Sequence, residues 1–232
     1  MISDLKRNIV KIITIIYFVN AVIEVVSEYY SNNTVIFLAK PLIPFLLIVL
    51  YCFSSERKNP LFIIIMFFSL VTNVLFIPKA PLCLFYGLVA FTIHRILLIY
   101  YIYILSKIKN MKLFVAITIP LFAIFFYLFF ASTDVPENSY ELLILLNVMG
   151  AILGGIGISN YILNDNKQNS QLMISVLMFL GLQMVVYVER YYLASIMLEY
   201  VRPLAMLLNV LAFYVFYRYV ITAESNDNRS AL

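Results

Sequence analysis

Polar residues interrupt an otherwise apolar chain at near-regular intervals, and the lengths of the apolar windows between them decide the architecture. Crossing about 30 Å of hydrocarbon takes roughly 20 residues of helix. Windows of that size fall at 8–28, 34–53, 60–78, 81–105, 112–131, 139–162, 170–189 and 202–221. Turn-forming segments separate them: SSERKNP at 54–60, IPKAP at 77–81, STDVPENS at 132–139 and NDNKQNS at 164–170. The stretch 190–200 is apolar enough for the interface and too short to cross, so an interfacial or partly re-entrant connector is expected there. The pattern predicts an all-α fold, a polytopic membrane protein built as a bundle of about eight transmembrane helices. It forms one domain over 1–221, followed by a polar cytoplasmic tail over 222–232.

Composition strengthens this reading. Of the 232 residues, 64% are hydrophobic and 12% charged, with a mean hydropathy of +0.97. A soluble domain is about 45–50% apolar and about 25% charged, so no water-soluble body of this size could bury these side chains. The net charge of +4 is spread over short loops and tails, which excludes a nucleic-acid surface. One His and two Cys, without a CxxC spacing, cannot supply a His/Cys zinc site, and no cofactor is expected. Cys52 and Cys83 fall at opposite ends of their spans, so no disulfide is expected.

Lys and Arg bias short loops toward the cytoplasm. With the N-terminus inside, the cytoplasmic set is Lys6, Arg7, Lys11, Arg57, Lys58, Lys107, Lys109, Lys112, Lys167, Arg218 and Arg229, against Lys79 and Arg190 outside. Lys40, Arg95 and Arg202 lie within spans or at their edges. Both termini are therefore expected in the cytoplasm, with the chain in the cytoplasmic (inner) membrane of a bacterium. Asn20, Glu24 and Glu28 interrupt the first apolar run and no A-x-A cleavage site follows, so it reads as a retained helix.

Ionisable groups at membrane depth cost a few kcal/mol and mark candidate sites. Asn20, Glu24 and Glu28 share one helical face at i, i+4 and i+8. Lys40 precedes Pro41 and lies one turn before Pro44, and those prolines free backbone carbonyls near it. Its alternative is to snorkel to the interface. Ser69, Thr72, Asn73 and Gln183 suit interhelical hydrogen bonds as well as a site. His94 alone is more often structural than catalytic, while Arg95 requires a carboxylate or a wet cavity. Tyr187 and Glu189 accompany Gln183 on its helix. Gly150, Gly154, Gly155 and Gly157 predict close helix packing. A retinal protein needs a lysine in its last helix, and 202–221 contains none.

The order of these marks resembles the lysoplasmalogenase (YhhN) family of eight-helix membrane proteins. Lys40-Pro41-Leu42 looks like the family's K-P-L. Ser69 and Leu70 match its S-L-x-G-D, with Thr72 for Gly and Asn73 for Asp. Gly87, Leu88, Ala90, Phe91 and His94 match G-L-x-A-F-x-x-H-x-x-Y, with Leu97 at the tyrosine. In the F-x-x-S-D segment, Leu182 and Gln183 stand at Ser-Asp. The resemblance implies hydrolysis of the vinyl ether bond of lysoplasmalogen or a related lysolipid. That reaction protonates a vinyl carbon and adds water to the resulting oxocarbenium ion, so it needs a general acid and an anionic base or stabiliser.

Asn73 and Gln183 are neutral amides where the family has aspartates, which weakens that chemistry. The expected catalytic set is His94 as proton carrier with Asn73 and Gln183. The expected substrate-binding set is Lys40, Tyr187 and Glu24, with Lys40 and His94 able to attract a phosphate headgroup. The expected partners are a membrane lipid or lysolipid and the bilayer itself, with no protein partner specified. A non-catalytic lipid-binding or partner-subunit protein of the same fold is the alternative to an enzyme. A small transporter is a third reading, weakened because the segments show no internal symmetry.

Overall fold

The computed structural model describes residues 2–78, 80–131, 139–191 and 198–230. Eight helices account for most of them: α1 (Ile2–Tyr29), α2 (Asn33–Ser54), α3 (Pro60–Leu75), α4 (Pro81–Leu105), α5 (Met111–Phe130), α6 (Tyr140–Leu163), α7 (Lys167–Tyr191) and α8 (Leu198–Ser230). Lys79, the turn over 132–138 and positions 192–197 of the expected connector lie outside the described residues. The flanks of that connector are helical, because α7 runs to Tyr191 and α8 starts at Leu198.

A backbone in hydrocarbon must satisfy its own polar groups, which makes helix the available local structure. The helix starts follow from side-chain chemistry. Asn32, Asn59 and Asn110 accept from Val35 N, Leu61 N and Leu113 N at the starts of α2, α3 and α5. Pro60 and Pro81 occupy first-turn positions, where a missing N–H costs nothing.

Seven of the helices are long and apolar enough to cross a membrane, all but α3. With 16 residues, α3 is about 24 Å long at 1.5 Å per residue. It ends at Leu75, where the sequence pattern runs on to 78.

Successive helices are antiparallel. Tyr51 and Lys40 of α2 meet Phe62 and Asn73 of α3 in reverse order, Gln168 and Glu189 of α7 meet Asn226 and Arg202 of α8, and Tyr17 and Tyr29 of α1 meet Val210 and Tyr200 of α8 in the same reversed sense. Adjacency follows a closed ring in the order α1, α2, α3, α4, α6, α7, α8, with α5 packed outside on α6. Helix α8 also touches α2 and α4 across the ring. Both ends of the chain therefore lie on one face of the bundle, here the terminal face.

Glycines set the spacing around α6. A Cβ on Gly155 would strike Thr118 and Phe114, and one on Gly154 would strike Leu121 of α5, while Gly157 lies against Val176 of α7. Helix α6 is thus wedged between α5 and α7, the close packing expected of its glycines.

The core runs from Tyr17, Leu47 and Phe62 to Phe179, Phe213 and Phe216. Outside it, Ile12, Ile15, Ile16, Val19, Val22 and Val26 leave one face of α1 exposed and apolar, as do Val115, Ile119, Phe122 and Tyr127 on α5. Water would not tolerate apolar faces this continuous. They are the lipid-facing surface of an integral membrane protein.

The polar tail expected from Thr222 is instead the last part of α8, which continues to Ser230. Ala223 and Glu224 keep its inner face buried past that boundary.

Candidate functional site

Three polar groupings occupy the bundle. The first joins α1, α2 and α3. In a helix, the N–H of residue i bonds the carbonyl of i−4, so Pro44 leaves the Lys40 carbonyl without its usual partner. Asn73 Nδ2 fills that place from α3 at 3.3 Å. Asn20 Nδ2 reaches the neighbouring Ala39 carbonyl at 2.9 Å. Side chains tilt toward a helix's N-terminus, which carries the Lys40 ammonium away from the terminal face and onto α1. There Nζ donates to Glu28 Oε1 at 2.7 Å and lies 3.9 Å from Glu24 Oε1. Lys40 is thus neutralised inside the protein, and the cation expected to bind phosphate is already paired. Glu24 is fully buried and accepts no hydrogen bond among the described residues.

The second grouping lies between α4, α6, α7 and α8. His94 stacks on Phe91 at 5.9 Å and tilts against Phe213 at 5.5 Å. Both of its ring nitrogens lack a hydrogen-bond partner. Next to it, the Arg95 guanidinium carbon lies 5.0 Å from the Phe91 ring centre and 5.3 Å from that of Phe179. Arg95 is 1% exposed, and among the described residues its Nε and Nη1 have no hydrogen-bond partner. Two aromatic faces at this range contribute on the order of 1–2 kcal/mol each when desolvated, yet they accept none of the in-plane N–H groups. One turn along α7 from Phe179, Gln183 Nε2 donates to Asn147 Oδ1 of α6 at 3.0 Å. Gly150 makes room for that amide, since a Cβ there would come within 2.9 Å of Gln183 Oε1. Asn147 Nδ2 and Gln183 Oε1 are left without partners. Tyr187, another turn on, packs with Phe129, Leu143 and Leu146 in a cluster that Phe91 touches. Glu189 pairs with Arg202 of α8 at 2.7 Å.

The third grouping closes the terminal face. Glu224, 4% exposed, accepts from Tyr51 Oη (2.6 Å), Tyr101 Oη (2.9 Å) and Ser55 Oγ (2.7 Å). Tyr51 Oη also accepts from Asn59 N, which ties in the α2–α3 turn. Tyr219 and Gln168 donate to Ser106 Oγ, Asn226 donates to Gln168, and Arg57 pairs with Asp227 at 2.6 Å.

The expected site residues therefore divide. Lys40, Glu24 and Asn73 belong together on α1–α3. His94 and Arg95 of α4 meet Phe213 of α8 and Phe179 of α7, and Gln183 and Tyr187 follow Phe179 along α7, with Phe91 touching the Tyr187 cluster. Among the described residues no hydrogen bond joins Asn73 to Gln183, and each amide bonds within its own grouping. Sequence reasoning noted Arg95 only as needing a partner and missed Asn147 and Glu224. Asn147 lies within an apolar window one turn before Ala151, so its position in the glycine-rich helix was the available signal. Glu224 was hidden by the polar composition around it.

Comparison with known proteins identifies no relative: no family model, no curated protein and no solved structure matches this chain.

Proposed function

We propose that this chain is a lipid-binding integral membrane protein of the lysoplasmalogenase-like kind. Its interior takes the anionic headgroup of a lysolipid against Arg95, with His94 beside it. The observation that carries this reading is the Arg95 guanidinium, buried at mid-helix with Nε and Nη1 unpartnered and with no carboxylate paired to it among the described residues. A cation at membrane depth needs a counter-charge. The groups left free on Arg95 itself, Nε and Nη1, are donors, which suits an acceptor-rich anion such as a phosphate.

In this reading vinyl ether hydrolysis is weak or absent. Asn73 and Gln183 hold helices together rather than facing each other as an acid–base pair. A hydrolytic reading keeps one support, because His94 is buried with both nitrogens free and could carry a proton. Mass spectrometry of lipids co-purified in mild detergent decides between occupied and empty. A lysophospholipid should accompany the unmodified protein and be lost from Arg95→Met. That variant should be at least as heat-stable as the parent once lipid is removed, because an unpaired buried charge is replaced by an apolar chain of similar length. Equal lipid in both proteins would remove Arg95 from the site. Brisk lysoplasmalogen hydrolysis abolished by His94→Ala would favour the enzyme.

The bias of loop Lys and Arg supports both termini facing the cytoplasm. Reporter fusions at Lys109 and Lys167 should both report that side, and an outside signal from either would reverse the orientation.

A further inference from the structure

An open groove of about 510 Å³ cuts into the terminal face between α1, α2, the start of α7 and α8. It is independent of the interior site, and no residue of that site lines it. Its charged lining residues are Lys167 and Arg218, and no carboxylate lines it. Both cations are exposed, and neither takes part in an ion pair among the described residues. The acids nearest in sequence to Arg218 are engaged elsewhere. Glu224 is turned inward onto Tyr51, Tyr101 and Ser55, and Asp227 holds Arg57.

The wall sets hydroxyls among the apolar side chains of Val10 and Ile221. Ser54 Oγ and Tyr217 Oη share a hydrogen bond of 2.6 Å, and Thr14, Tyr214 and Ser225 stand beside them. Thr14 and Thr222 donate to the carbonyls of Val10 and Arg218. Two cations outside any ion pair among the described residues, with the hydroxyls of Tyr214 and Ser225 beside them, therefore make the anion-recognising set, and a phosphate accepts from both kinds of donor at once.

Height in the bilayer narrows the class of ligand. Val10 and Thr14 line the groove from α1, and the same helix turns Ile12, Ile15, Ile16 and Val19 outward as lipid-facing surface. The groove therefore lies where the apolar exterior meets the polar end of the bundle, with Tyr214 and Tyr217 at the depth that tyrosines favour in membranes. A ligand phosphate held there leaves its acyl chains free to run along α1. The volume falls within the range of about 300–1,000 Å³ usual for small-molecule sites.

We propose that this groove binds the phosphate headgroup of an anionic glycerophospholipid of the surrounding leaflet, through Lys167 and Arg218.

The test is native mass spectrometry of the full chain released from nanodiscs of phosphatidylglycerol and phosphatidylcholine, with a thermal-shift arm in detergent. The unmodified protein should retain one phosphatidylglycerol in preference to phosphatidylcholine. Lys167→Gln with Arg218→Gln should weaken that preference about thirty-fold, from the contribution usual for two basic residues at a lipid surface. Both side chains are exposed, so folding should be unaffected, and Lys167→Gln alone gives a partial loss should the double variant be unstable. Arg57→Gln removes a paired cation from the same face and should leave the preference intact. The thermal-shift arm adds glycerol 3-phosphate or inorganic phosphate at millimolar concentration, and neither should stabilise the protein. Stabilisation by either as large as that by phosphatidylglycerol would assign the groove to a soluble phosphate and overturn the proposal. Equal losses from Arg57→Gln and from the double variant would reduce the effect to general charge and overturn it as well.

Discussion

Asn73 illustrates how one residue type serves two demands that the sequence alone cannot separate. Its position on a stripe with Ser69 and Thr72 fits either a worn catalytic pair or an interhelical bond. The structure places its amide N–H on the carbonyl that Pro44 leaves open. An ionised aspartate has no proton to donate there, so Asn73→Asp would set a carboxylate against a carbonyl oxygen. Leaving a buried acceptor unsatisfied costs about 1–3 kcal/mol. Asn73→Ala should lower stability by that amount, and Pro44→Ala should abolish most of the penalty by restoring the helix's own N–H. Thermal unfolding of the two single variants and the double variant measures this coupling. Additive losses would show that Asn73 does not answer the proline. For the same reason, Asn73→Asp with Gln183→Asp should destabilise the protein without raising vinyl ether hydrolysis. Lys40 teaches a similar lesson. The sequence marks it as a buried cation, and only the packing of α1 on α2 reveals that Glu28 already neutralises it.

At the scale of elements, helix positions are legible from the windows between polar segments to within a few residues, because hydrocarbon thickness and turn chemistry act locally. Two boundaries depart from that pattern for tertiary reasons. Helix α3 stops at Leu75, with Thr72 and Val74 receiving the N–H of Phe76, and its next turn is given over to the crossing into α4. Helix α8 continues past Thr222 because its inner face keeps a partner: Glu224 is clasped by two tyrosines and a serine from α2 and α4. Composition counts Glu224 as tail, since a carboxylate's partners more than a hundred residues away do not register in a local window. Removal of residues 223–232 would be harmless if they were a free tail. It should instead lower the unfolding temperature by several degrees and expose the α2–α3 turn to protease, because Tyr51 and Tyr101 would lose their shared acceptor. Glu224→Gln, which keeps an acceptor oxygen, should be milder than Glu224→Ala. Unchanged stability on truncation would contradict the role given to this cluster.

Across the whole molecule, the fold class was written in the proportion of apolar residues and the spacing of polar ones, whereas the site was only half legible. Polar residues inside spans can be read off one by one. Which of them meet depends on the order of helices around the ring, and nothing in the local pattern states that α4 adjoins α6 with α5 outside. That order separates Asn73 from Gln183, sets Arg95 and His94 against the rings of Phe91, Phe179 and Phe213, and pairs Gln183 with Asn147 of the neighbouring α6. In the function proposed above, Arg95, whose Nε and Nη1 have no hydrogen-bond partner among the described residues, holds the phosphate of a lysolipid. Dipolar solid-state NMR between the ³¹P of lysophosphatidylethanolamine and ¹⁵N-labelled arginine tests it directly. A contact at about 4 Å is expected, as a charge-assisted hydrogen bond of roughly 2.7–2.9 Å to a phosphate oxygen requires, lost in Arg95→Met and kept in Arg218→Gln. A lysolipid that binds stoichiometrically with its phosphorus beyond reach of the Arg95 nitrogens would contradict it.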